Sequence, residues 1–481
     1  MIIARRTPAV AALGRLSVAL ALAALVCQAH ARPQAEAELA SQADRPALAA
    51  GATTVRAVAD AEAEDLELSQ TRRPARPASP ARGARSAPKF GVAHVLAEVA
   101  LLPEHPHASG SAWLKGSPYV QWQASRAWEL RAGVQLRAER QSGTGAYEDA
   151  ALDIDETYLR WRTGESRLTV GAQKIIWGRV DGLPLIDRVS RADISRGLLD
   201  DLEERRQAQW AVRWEHDWDT VKLDAVVLPA FLAADLPDAR SVWNLVNRRT
   251  GQVIGIAPNP ALAALAAGAP VTQDDGGWGG AAVRLTSTGF VDLGLSVGRT
   301  RQSLPFYEAN AARGGLDAVH PFNRFVGVDA EWVGGDITWR GELVHTRDLP
   351  LTSLQGQRVK ASALDWIGAI EFFPGGKDTR VNLQLVARSL RKDGPVLQLT
   401  RYVGVNGEIE STFGQGRWKA GLQFASGLSV HDIMLAPRLS FVGWEPHELS
   451  LSVQSFRGNE RTLGGFYRDN LLIALALRSR F

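Results

Sequence analysis

The last twelve residues of the chain, Asn470–Phe481, read N-L-L-I-A-L-A-L-R-S-R-F and alternate between two faces. One face carries Leu471, Ile473, Leu475, Leu477, Ser479 and Phe481, and the other carries Leu472, Ala474, Ala476, Arg478 and Arg480. A tilted β-strand needs about 9–11 residues to cross a bilayer. The segment therefore predicts a membrane-spanning strand, provided that the rest of the chain supplies its neighbours.

The same period-2 alternation recurs from Phe90 onward, most clearly in Trp128–Arg140, Gln207–Glu215 and Thr379–Arg388. The candidate strands are 91–102, 112–124, 127–140, 153–163, 166–176, 207–217, 219–228, 278–287, 289–299, 323–333, 336–346, 363–373, 379–390, 406–414, 417–427, 430–443, 447–457 and 470–481. The strand patterns of 406–414 and 430–443 are the weakest. Without these two segments, the count is 16 rather than 18.

The predicted connections alternate between short and long. Short turns are expected near Ser125, Gly164-Glu165, Trp218, Thr288, Gly334-Gly335, Pro374–Lys377, Gln415-Gly416 and Glu445-Pro446. Between them lie mostly long connections, including 177–206, 229–277 and 300–322. Short periplasmic turns opposite long extracellular loops are typical of outer-membrane barrels, whereas a soluble β-sandwich has no reason to sort its loops in this way. The fold class predicted is all-β: a transmembrane antiparallel up-and-down barrel of about 18 strands.

Aromatic residues near the strand ends support this interpretation. They are Trp128, Trp161, Trp214, Trp332, Trp339, Trp366, Phe372, Trp418 and Phe441. Amphipathic rings settle at the headgroup level of a membrane, so the set is interpreted as an interfacial girdle. In a soluble β protein, the same rings would form a core.

The N-terminal region has the composition of a processing signal followed by a linker. Arg5 and Arg6 precede the apolar stretch 17–26, and Ala29-His30-Ala31 is a cleavage sequence, so residues 1–31 are expected to be a signal peptide. Residues 32–88 are rich in Ala, Arg and Pro and predict a disordered periplasmic segment, while 89–481 form the barrel. A peptidoglycan- or partner-binding arm is the alternative for 32–88.

The remaining composition narrows the function classes. The one cysteine of the chain, Cys27, lies inside the predicted signal peptide, so the mature chain has no cysteine metal site or disulfide. The formal net charge is only +3 and the basic residues are dispersed along the chain. A nucleic-acid-binding surface is therefore not expected. No cofactor is implied.

Three sequence blocks resemble a group of Gram-negative porin-like outer-membrane proteins. They are L-D-I-D-E-T-Y-L-R-W-R (152–162), L-T-V-G-A-Q-K-I-I-W-G-R (168–179) and L-I-D-R-V-S-R-A-D-I (185–194). The region is more distantly similar to alginate-export porins, which are 18-stranded barrels with a cationic lumen, whereas the polar face here has mixed charge. The resemblance implies an outer-membrane channel without catalytic residues. A terminal Phe481 resembles the signal read by the barrel assembly machinery, which is therefore an expected partner beside outer-membrane lipids.

If the apolar faces meet lipid, the alternate residues line a lumen. The predicted lumen residues are Glu129, Arg131, Arg137, Glu156, Arg160, Arg162, Arg167, Arg213, Lys222, Asp224, Arg284, Asp329, Glu331, Arg340, Glu342, Arg380, Arg388, Lys419 and Arg438. Facing rows of opposite charge would create a transverse field that orients polar solutes. Alternatively, these charges pair across neighbouring strands and fill the wall.

Two long loops are expected to control what passes. The loop 177–206 is the predicted constriction loop, with Asp187, Arg188, Arg191 and Asp193 as its candidate residues and with helical character over 196–206. The apolar segments 242–246 and 260–265 of the second loop are expected to fold into the mouth. The cluster Asp200, Asp201, Glu203 and Glu204 predicts either a Ca²⁺ site or a helix end paired with Arg205 and Arg206.

Two patterns with catalytic or metal-binding form are interpreted as chance. Gly294–Gly298 matches G-x-S-x-G, but it lies within alternating strand sequence rather than at a strand-to-helix turn. His105 and His107 lack a third metal ligand nearby. The chain is therefore predicted not to be an enzyme.

The sequence favours an outer-membrane channel for small hydrophilic solutes, anionic or saccharide in character, or for a polysaccharide. Two alternatives stay open: an uptake channel for a hydrophobic compound, and a plugged barrel with a structural or adhesive role.

Overall fold

The computed structural model describes residues 87–481, except residues 198 and 377. The predicted signal peptide and all but the last two residues of the predicted 32–88 segment lie outside this range. No helix among the described residues is long and apolar enough to span a membrane.

Eighteen antiparallel strands form one closed barrel. Strands β1–β9 are Lys89–Leu101, Gly110–Gln123, Trp128–Ser142, Tyr147–Ile154 with Thr157–Thr163, Ser166–Gln173, Gln209–Trp218, Val221–Leu228, Gly280–Ser287 and Asp292–Arg301. Strands β10–β18 are Phe322–Gly334, Ile337–Thr352, Arg358–Phe372, Thr379–Lys392, Arg401–Phe413, Trp418–Gly427, Asp432–Trp444, His447–Gly458 and Leu472–Arg480. The two segments of β4 count as one strand because both pair with β3.

The barrel closes between its first and last strands. β18 pairs antiparallel with β1, from His94 opposite Arg480 to Leu101 opposite Ile473, and with β17 on its other side. No strand edge is left open, which is the requirement for a sheet that crosses lipid. The predicted closed barrel is confirmed.

Each predicted strand corresponds to an observed one, and the alternative count of 16 is wrong because 406–414 and 430–443 both belong to barrel strands. The largest errors lie at strand ends. β4 begins at Tyr147, and β11 continues to Thr352 beyond a bulge between Arg347 and Leu349. These extensions belong to the long-loop rim, where the residues pair with neighbouring strands although the surrounding sequence has a loop composition.

The burial pattern is the reverse of that in a soluble protein. On β9, the side chains of Leu293, Leu295 and Val297 are 53%, 48% and 51% exposed, whereas inward Ser296 is fully buried. Charged residues on inward positions, such as Glu342, are also buried. An apolar outer band with a polar interior is the arrangement that a bilayer selects.

The predicted girdle aromatics lie on the outward face, and all but Trp366 are near the short-turn rim; Trp366 lies in the middle of β12, opposite Leu343. The seven predicted tryptophans are between 37% and 45% exposed, and Phe372 and Phe441 are half-buried. Neighbouring rings contact one another: Trp332 and Trp339 stack with centroids 6.4 Å apart, and Trp418 lies 5.0 Å from Phe441. This rim therefore carries the aromatic belt expected at a headgroup layer.

The connections sort by rim as predicted. The short turns are 124–127, 164–165, 219–220, 288–291, 335–336, 373–378, 414–417 and 445–446, and the longest connections are 174–208, 229–279, 302–321 and 459–471. Both ends of the barrel lie at the short-turn rim, because the strand number is even. By the usual pattern, that rim is periplasmic.

The long loops contain short elements of their own. The helices are α1 (Leu202–Arg205), α2 (Pro260–Ala267) and α3 (Leu463–Phe466), so the helical character predicted for 196–206 is limited to one turn. Asn259 caps α2 by accepting hydrogen bonds from the backbone N–H groups of Ala261 and Leu262.

The loop 229–279 packs against the other loops through its apolar residues. Trp243 is buried, with its ring 5.4 Å from that of Tyr467 and 5.9 Å from that of Phe456. A second apolar cluster joins Val246 and Leu262 to Leu316 and Leu397, from two further loops. The apolar segments of this loop are thus buried by loop-to-loop packing.

Candidate channel interior

The loop 174–208 folds back against the inward face of the barrel. Its first half is apolar: Ile175, Trp177, Val180, Ile186 and Val189 are buried. They pack against inward apolar residues of the wall, which are Ala211, Val226, Leu228, Ala282, Phe325, Val344, Ile367 and Ala369. Strands β6–β8 and β10–β12 therefore supply an apolar inner patch that holds this part of the loop.

A single carboxylate fixes the turn of this first half. Glu342 on β11 is 2% exposed and accepts hydrogen bonds from four loop backbone N–H groups. The donors are Arg179 at 2.7 Å, Val180 at 3.1 Å, Leu185 at 2.6 Å and Ile186 at 3.0 Å. The loop backbone, which has no strand partner here, is satisfied by a side chain of the wall.

Charged side chains flank this clamp on neighbouring strands. Asp329 on β10 lies 2.5 Å from Arg179 of the loop and 2.8 Å from Arg284 of β8. Arg284 also donates to the carbonyl of Trp177, whose indole N–H donates to Asp224 on β7 at 2.7 Å. The loop is thus joined to β7, β8 and β10 by buried polar contacts.

Asp181 lies at the tip of this loop, with its side chain 55% exposed. Its carboxylate accepts a hydrogen bond from Asn382 at 2.7 Å and lies 3.5 Å and 3.4 Å from the guanidinium groups of Arg340 and Arg380. Gln384 donates to its backbone carbonyl at 2.7 Å. The tip therefore rests on β11 and β13.

The second half of the loop binds the opposite wall through ions. Lys115 of β2 and Asp193 of the loop are both buried and lie 2.9 Å apart, with Arg137 of β3 at 3.9 Å from Asp193. Burial by itself would raise the pKa of Asp193, but Lys115 and Arg137 more than offset this and hold it below its usual range. Asp235, from the loop 229–279, joins the network at 3.1 Å from Arg137.

The acidic cluster near α1 pairs with arginines of the wall. Asp201 lies 3.2 Å from Arg478 and 3.7 Å from Arg438, and Glu204 lies 2.9 Å from Arg478. Asp200 pairs with Arg196 at 2.5 Å. The predicted pairing of this cluster with Arg205 and Arg206 is wrong, because β16 and β18 bring their arginines closer. No cluster that could hold a metal ion occurs among the described residues.

The four predicted constriction residues have different environments. Asp187 accepts from the backbone N–H of Trp177 at 2.7 Å and pairs with Arg206 at 2.6 Å, so it stabilises the loop itself. Arg191 is buried between Asp153 and Asp235, at 2.6 Å and 2.9 Å. Asp193 is buried in the network described above. Arg188, at 3.7 Å from Asp365, keeps a side-chain exposure of 16%.

Each predicted lumen residue has a charged or hydrogen-bonding partner. Within the wall, two carboxylates have several partners: Glu129 pairs with Arg160 and Arg162, and Glu215 pairs with Arg167, Arg213 and Lys222. The simple pairs are Arg131–Glu156, Arg340–Glu331, Arg380–Glu371, Arg388–Asp365 and Lys419–Glu410. Toward the loops, Arg137, Arg284, Asp224, Asp329, Glu342 and Arg438 make the contacts given above. Cross-strand pairing is therefore extensive, although Lys222 and Arg380 remain about one-third exposed.

The charges differ between two sides of the interior. Toward the short-turn rim, β3–β7 carry six basic inward residues against five acidic ones: Arg131, Arg160, Arg162, Arg167, Arg213 and Lys222 against Glu129, Glu156, Glu215, Asp217 and Asp224. On β9–β15 the balance is reversed: Asp292, Asp329, Glu331, Glu342, Glu371, Glu408 and Glu410 against Arg340, Arg380 and Lys419. Two arcs of opposite net charge create a field across the interior.

Several residues of the interior carry no signal in the sequence. Asp181, Arg179 and Asp235 lie on loops without period-2 alternation, so no local signal marks them as partners of the wall. For Asp153, the sequence predicts only that it belongs to the strand 153–163. Its partner Arg191 lies on a different connection, and the sequence contains no indication of that pairing.

The patterns interpreted as chance have ordinary structural roles. Gly294–Gly298 lies within β9, so its serine is on a strand and not at a turn. His105 accepts hydrogen bonds from the backbone N–H groups of His107 and Ala108 at 3.2 Å and 3.0 Å, and therefore stabilises the β1–β2 loop.

Neither a protein-family model nor a curated protein matches this chain. Solved structures of outer-membrane porins are similar in fold. OccK5 (OpdH) of Pseudomonas aeruginosa is 11% identical, with 81% of this chain and 97% of that chain covered and a TM-score of 0.47. OpdK of the same organism, solved with vanillate, is 10% identical, with coverages of 82% and 98% and a TM-score of 0.47. OccAB4 of Acinetobacter baumannii is 9% identical, with the same coverages and a TM-score of 0.46.

Proposed function

We propose that this protein is an outer-membrane channel for small hydrophilic solutes. The observation that carries the proposal is the barrel's inverted polarity. An apolar outer band surrounds an interior in which charged side chains remain partly accessible, among them Arg131, Lys222, Arg340 and Arg380. Ionisable groups inside a membrane-spanning structure are costly unless they line an aqueous path or pair with one another.

The loop 174–208 favours small solutes over a polysaccharide. It contacts β8–β13 on one side and β1–β3, β16 and β18 on the other, so it crosses the interior. A polymer would have to pass beside this fixed crossing. A small solute would need only the space between the loop and the charged wall.

The two charged arcs support selection by charge and dipole. A solute that carries an anionic group and several hydroxyls would place its negative end toward β3–β7, where arginine guanidinium groups match carboxylate or phosphate geometry. Anionic and saccharide-like solutes are therefore the proposed class.

Planar-bilayer recordings of the purified, folded protein test the proposal. Stable ion-permeable openings are expected. A folded barrel that stays electrically silent would contradict the channel and favour a plugged structural or adhesive role.

Charge variants test the proposed selectivity. R131Q/K222Q removes two accessible cations from the β3–β7 arc and should shift the reversal potential in a KCl gradient toward cation preference. R126Q/R417Q removes two exposed cations from short turns and is the matched control. Equal reversal potentials in the two variants would contradict a role of this arc. Liposome swelling with anionic and neutral sugars would then measure the solute preference directly.

A further inference from the structure

A row of arginines crosses the outer, lipid-facing surface of the barrel near the long-loop rim. The residues are Arg299 of β9, Arg324 of β10, Arg347 of β11 and Arg391 of β13, with Ser362 of β12 between the last two. Strand pairing sets them side by side: Arg299 opposite Arg324, Arg324 opposite Arg347, Arg347 opposite Ser362, and Ser362 opposite Arg391. We call this set the arginine row.

The arginine row lies directly above the apolar band. Two residues closer to the short-turn rim, the same face carries Val297, Val326, His345 and Leu364, which are consecutive cross-strand neighbours. Another two residues toward the short-turn rim, the outer face carries Leu295, Val328, Leu343 and Trp366. Each step along a strand pair covers about 7 Å. The arginine row is therefore at the level where the hydrocarbon region ends and the headgroup layer of the outer leaflet begins.

The row contains positive charge that the protein itself does not neutralise. Arg299, Arg347 and Arg391 are exposed and make no ion pair with any residue in the described part of the chain. Arg324 is 66% exposed and lies 3.7 Å from Asp348, which also lies 3.7 Å from Lys360. Like charges directly opposite one another on a sheet are destabilising, so an unoccupied row is unfavourable.

The surface at the upper edge of the row is concave. A groove of about 290 Å³ is lined by Arg299, Arg324, Asp348, Arg358 and Lys360, and Phe322 forms part of its wall. The guanidinium carbon of Arg299 lies 4.7 Å from the centroid of the Phe322 ring, which holds this cation over an apolar surface. Asp348, at the bulge in β11, has a φ of 62° and contributes the carboxylate that orients Arg324 and Lys360.

We propose that the arginine row and this groove bind the phosphorylated headgroup of lipopolysaccharide. The long-loop rim faces the outer leaflet, where lipopolysaccharide presents phosphate groups at the level of the row. Guanidinium groups bind phosphate through paired hydrogen bonds, and basic clusters at the end of a membrane-spanning segment bind anionic headgroups. A symmetric contact with a second copy is disfavoured, because it would bring the same cations together.

The proposal rests on an outer-membrane location and not on conduction, so the two can fail independently. The row points away from the interior, because its residues alternate with inward Gly298, Asn323 and Thr346.

The test compares lipid A retention by native mass spectrometry in detergent. The variant R299Q/R324Q/R347Q should bind lipid A about 100-fold more weakly than the wild type. Each cation near an anionic headgroup strengthens binding about fivefold, and the variant removes three. The matched control K89Q/R126Q/R417Q removes three exposed cations at the short-turn rim and should retain lipid A like the wild type. Equal retention by the row variant, or equal loss in both variants, would overturn the proposal.

Two further measurements make the outcome specific. Phosphatidylglycerol offered in place of lipid A should be retained clearly less well, and equal retention would overturn the assignment to lipopolysaccharide. The row variant should keep the heat-modifiable gel migration of a folded barrel and the wild-type conductance. A changed conductance in the folded variant would contradict the outward position of the row.

Discussion

At the residue scale, buried charges of the wall determine where the loop 174–208 lies. Glu342 uses both carboxylate oxygens to accept backbone N–H groups of the loop, and Asp193 places a loop carboxylate beside Lys115 and Arg137. Both contacts are buried, so water cannot replace the lost partner without opening the structure. The two sites fasten the two halves of the loop to different parts of the barrel.

Replacing Glu342 with Gln should release the first half of the loop. Each oxygen of the Glu342 carboxylate accepts two backbone N–H groups. In the glutamine variant, an NH₂ group replaces one of these oxygens, so two of the four hydrogen bonds are lost and donors face donors. We expect the free energy of unfolding in urea to fall by about 2 kcal/mol or more, together with larger open-channel current noise. Glu410→Gln is the control, since Glu410 pairs with Lys419 and does not contact the loop. Identical noise in the two variants would show that Glu342 does not restrain the loop.

Replacing Asp193 with Asn should leave Lys115 and Arg137 buried near a neutral group. The expected loss of unfolding free energy is about 3–5 kcal/mol, the usual effect of removing one member of a buried ion pair. The double variant K115M/D193N also removes Lys115, the cation that loses its ion-pair partner, whereas Arg137 keeps Asp235 at 3.1 Å, and it should recover part of the loss. Chemical denaturation of the folded protein in detergent measures both. A double variant less stable than D193N would contradict this account.

At the element scale, the closing strand β18 has two tasks. Its outward residues Ile473, Leu475 and Leu477 face lipid, while Arg478 points inward and pairs with Asp201 and Glu204 of the loop. After the strand, the backbone N–H of Phe481 donates to the carbonyl of Ala93 at 3.2 Å, and the Phe481 ring lies 6.1 Å from that of His447. The last residue is therefore fastened to both neighbouring strands, although its side chain is 42% exposed.

Deleting Phe481 should reduce membrane assembly more than conductance. The residue closes no part of the interior, and we propose that its exposed ring is recognised by the assembly machinery before the barrel closes. We expect less heat-modifiable barrel in the membrane fraction, with unchanged unitary conductance of the barrels that do assemble. Phe413→Ala, at another short-turn strand end, is the control for a lost exposed ring. Normal assembly of the truncated chain would contradict the proposed terminal signal.

At the scale of the whole molecule, stability comes from closure and from inverted polarity together. All eighteen strands have hydrogen-bonded neighbours on both sides. The inward side chains make two main kinds of contact, an apolar patch under the loop 174–208 and ion pairs elsewhere. Such a structure has no sheet edge at which unfolding in detergent can begin.

The folded protein should therefore resist sodium dodecyl sulfate at room temperature. Unheated samples should migrate on a denaturing gel at a different apparent mass from boiled samples, because the closed barrel binds less detergent than the extended chain. The boiled sample and a urea-unfolded sample are the references. Identical migration of heated and unheated protein, after reconstitution in lipid, would count against a closed barrel.

The strands could be located from sequence because their cause is local. Alternation with a period of two places side chains on opposite faces whatever the rest of the chain does, so Leu472–Arg480 and β13 are recognisable in isolation. Errors arose at the long-loop rim, as at Tyr147 and Thr352, where pairing with a neighbour extends a strand beyond its alternating part. The sorting of loops by rim then fixed an even strand number and the closure.

The partners of the charges were decided by the tertiary structure. Asp201 and Glu204 are expected from the sequence to pair with adjacent arginines, but they bind Arg478, which is 274 residues away from Glu204 in the chain. The distance between these carboxylates and Arg478 is set by the closure of the barrel and by the folding of the loop into it. Neither depends on neighbours in sequence. The chain's own pattern thus determined which side chains face lipid and which face inward, whereas only the closed barrel decided which inward charges meet, because Coulomb interactions depend on separation in space.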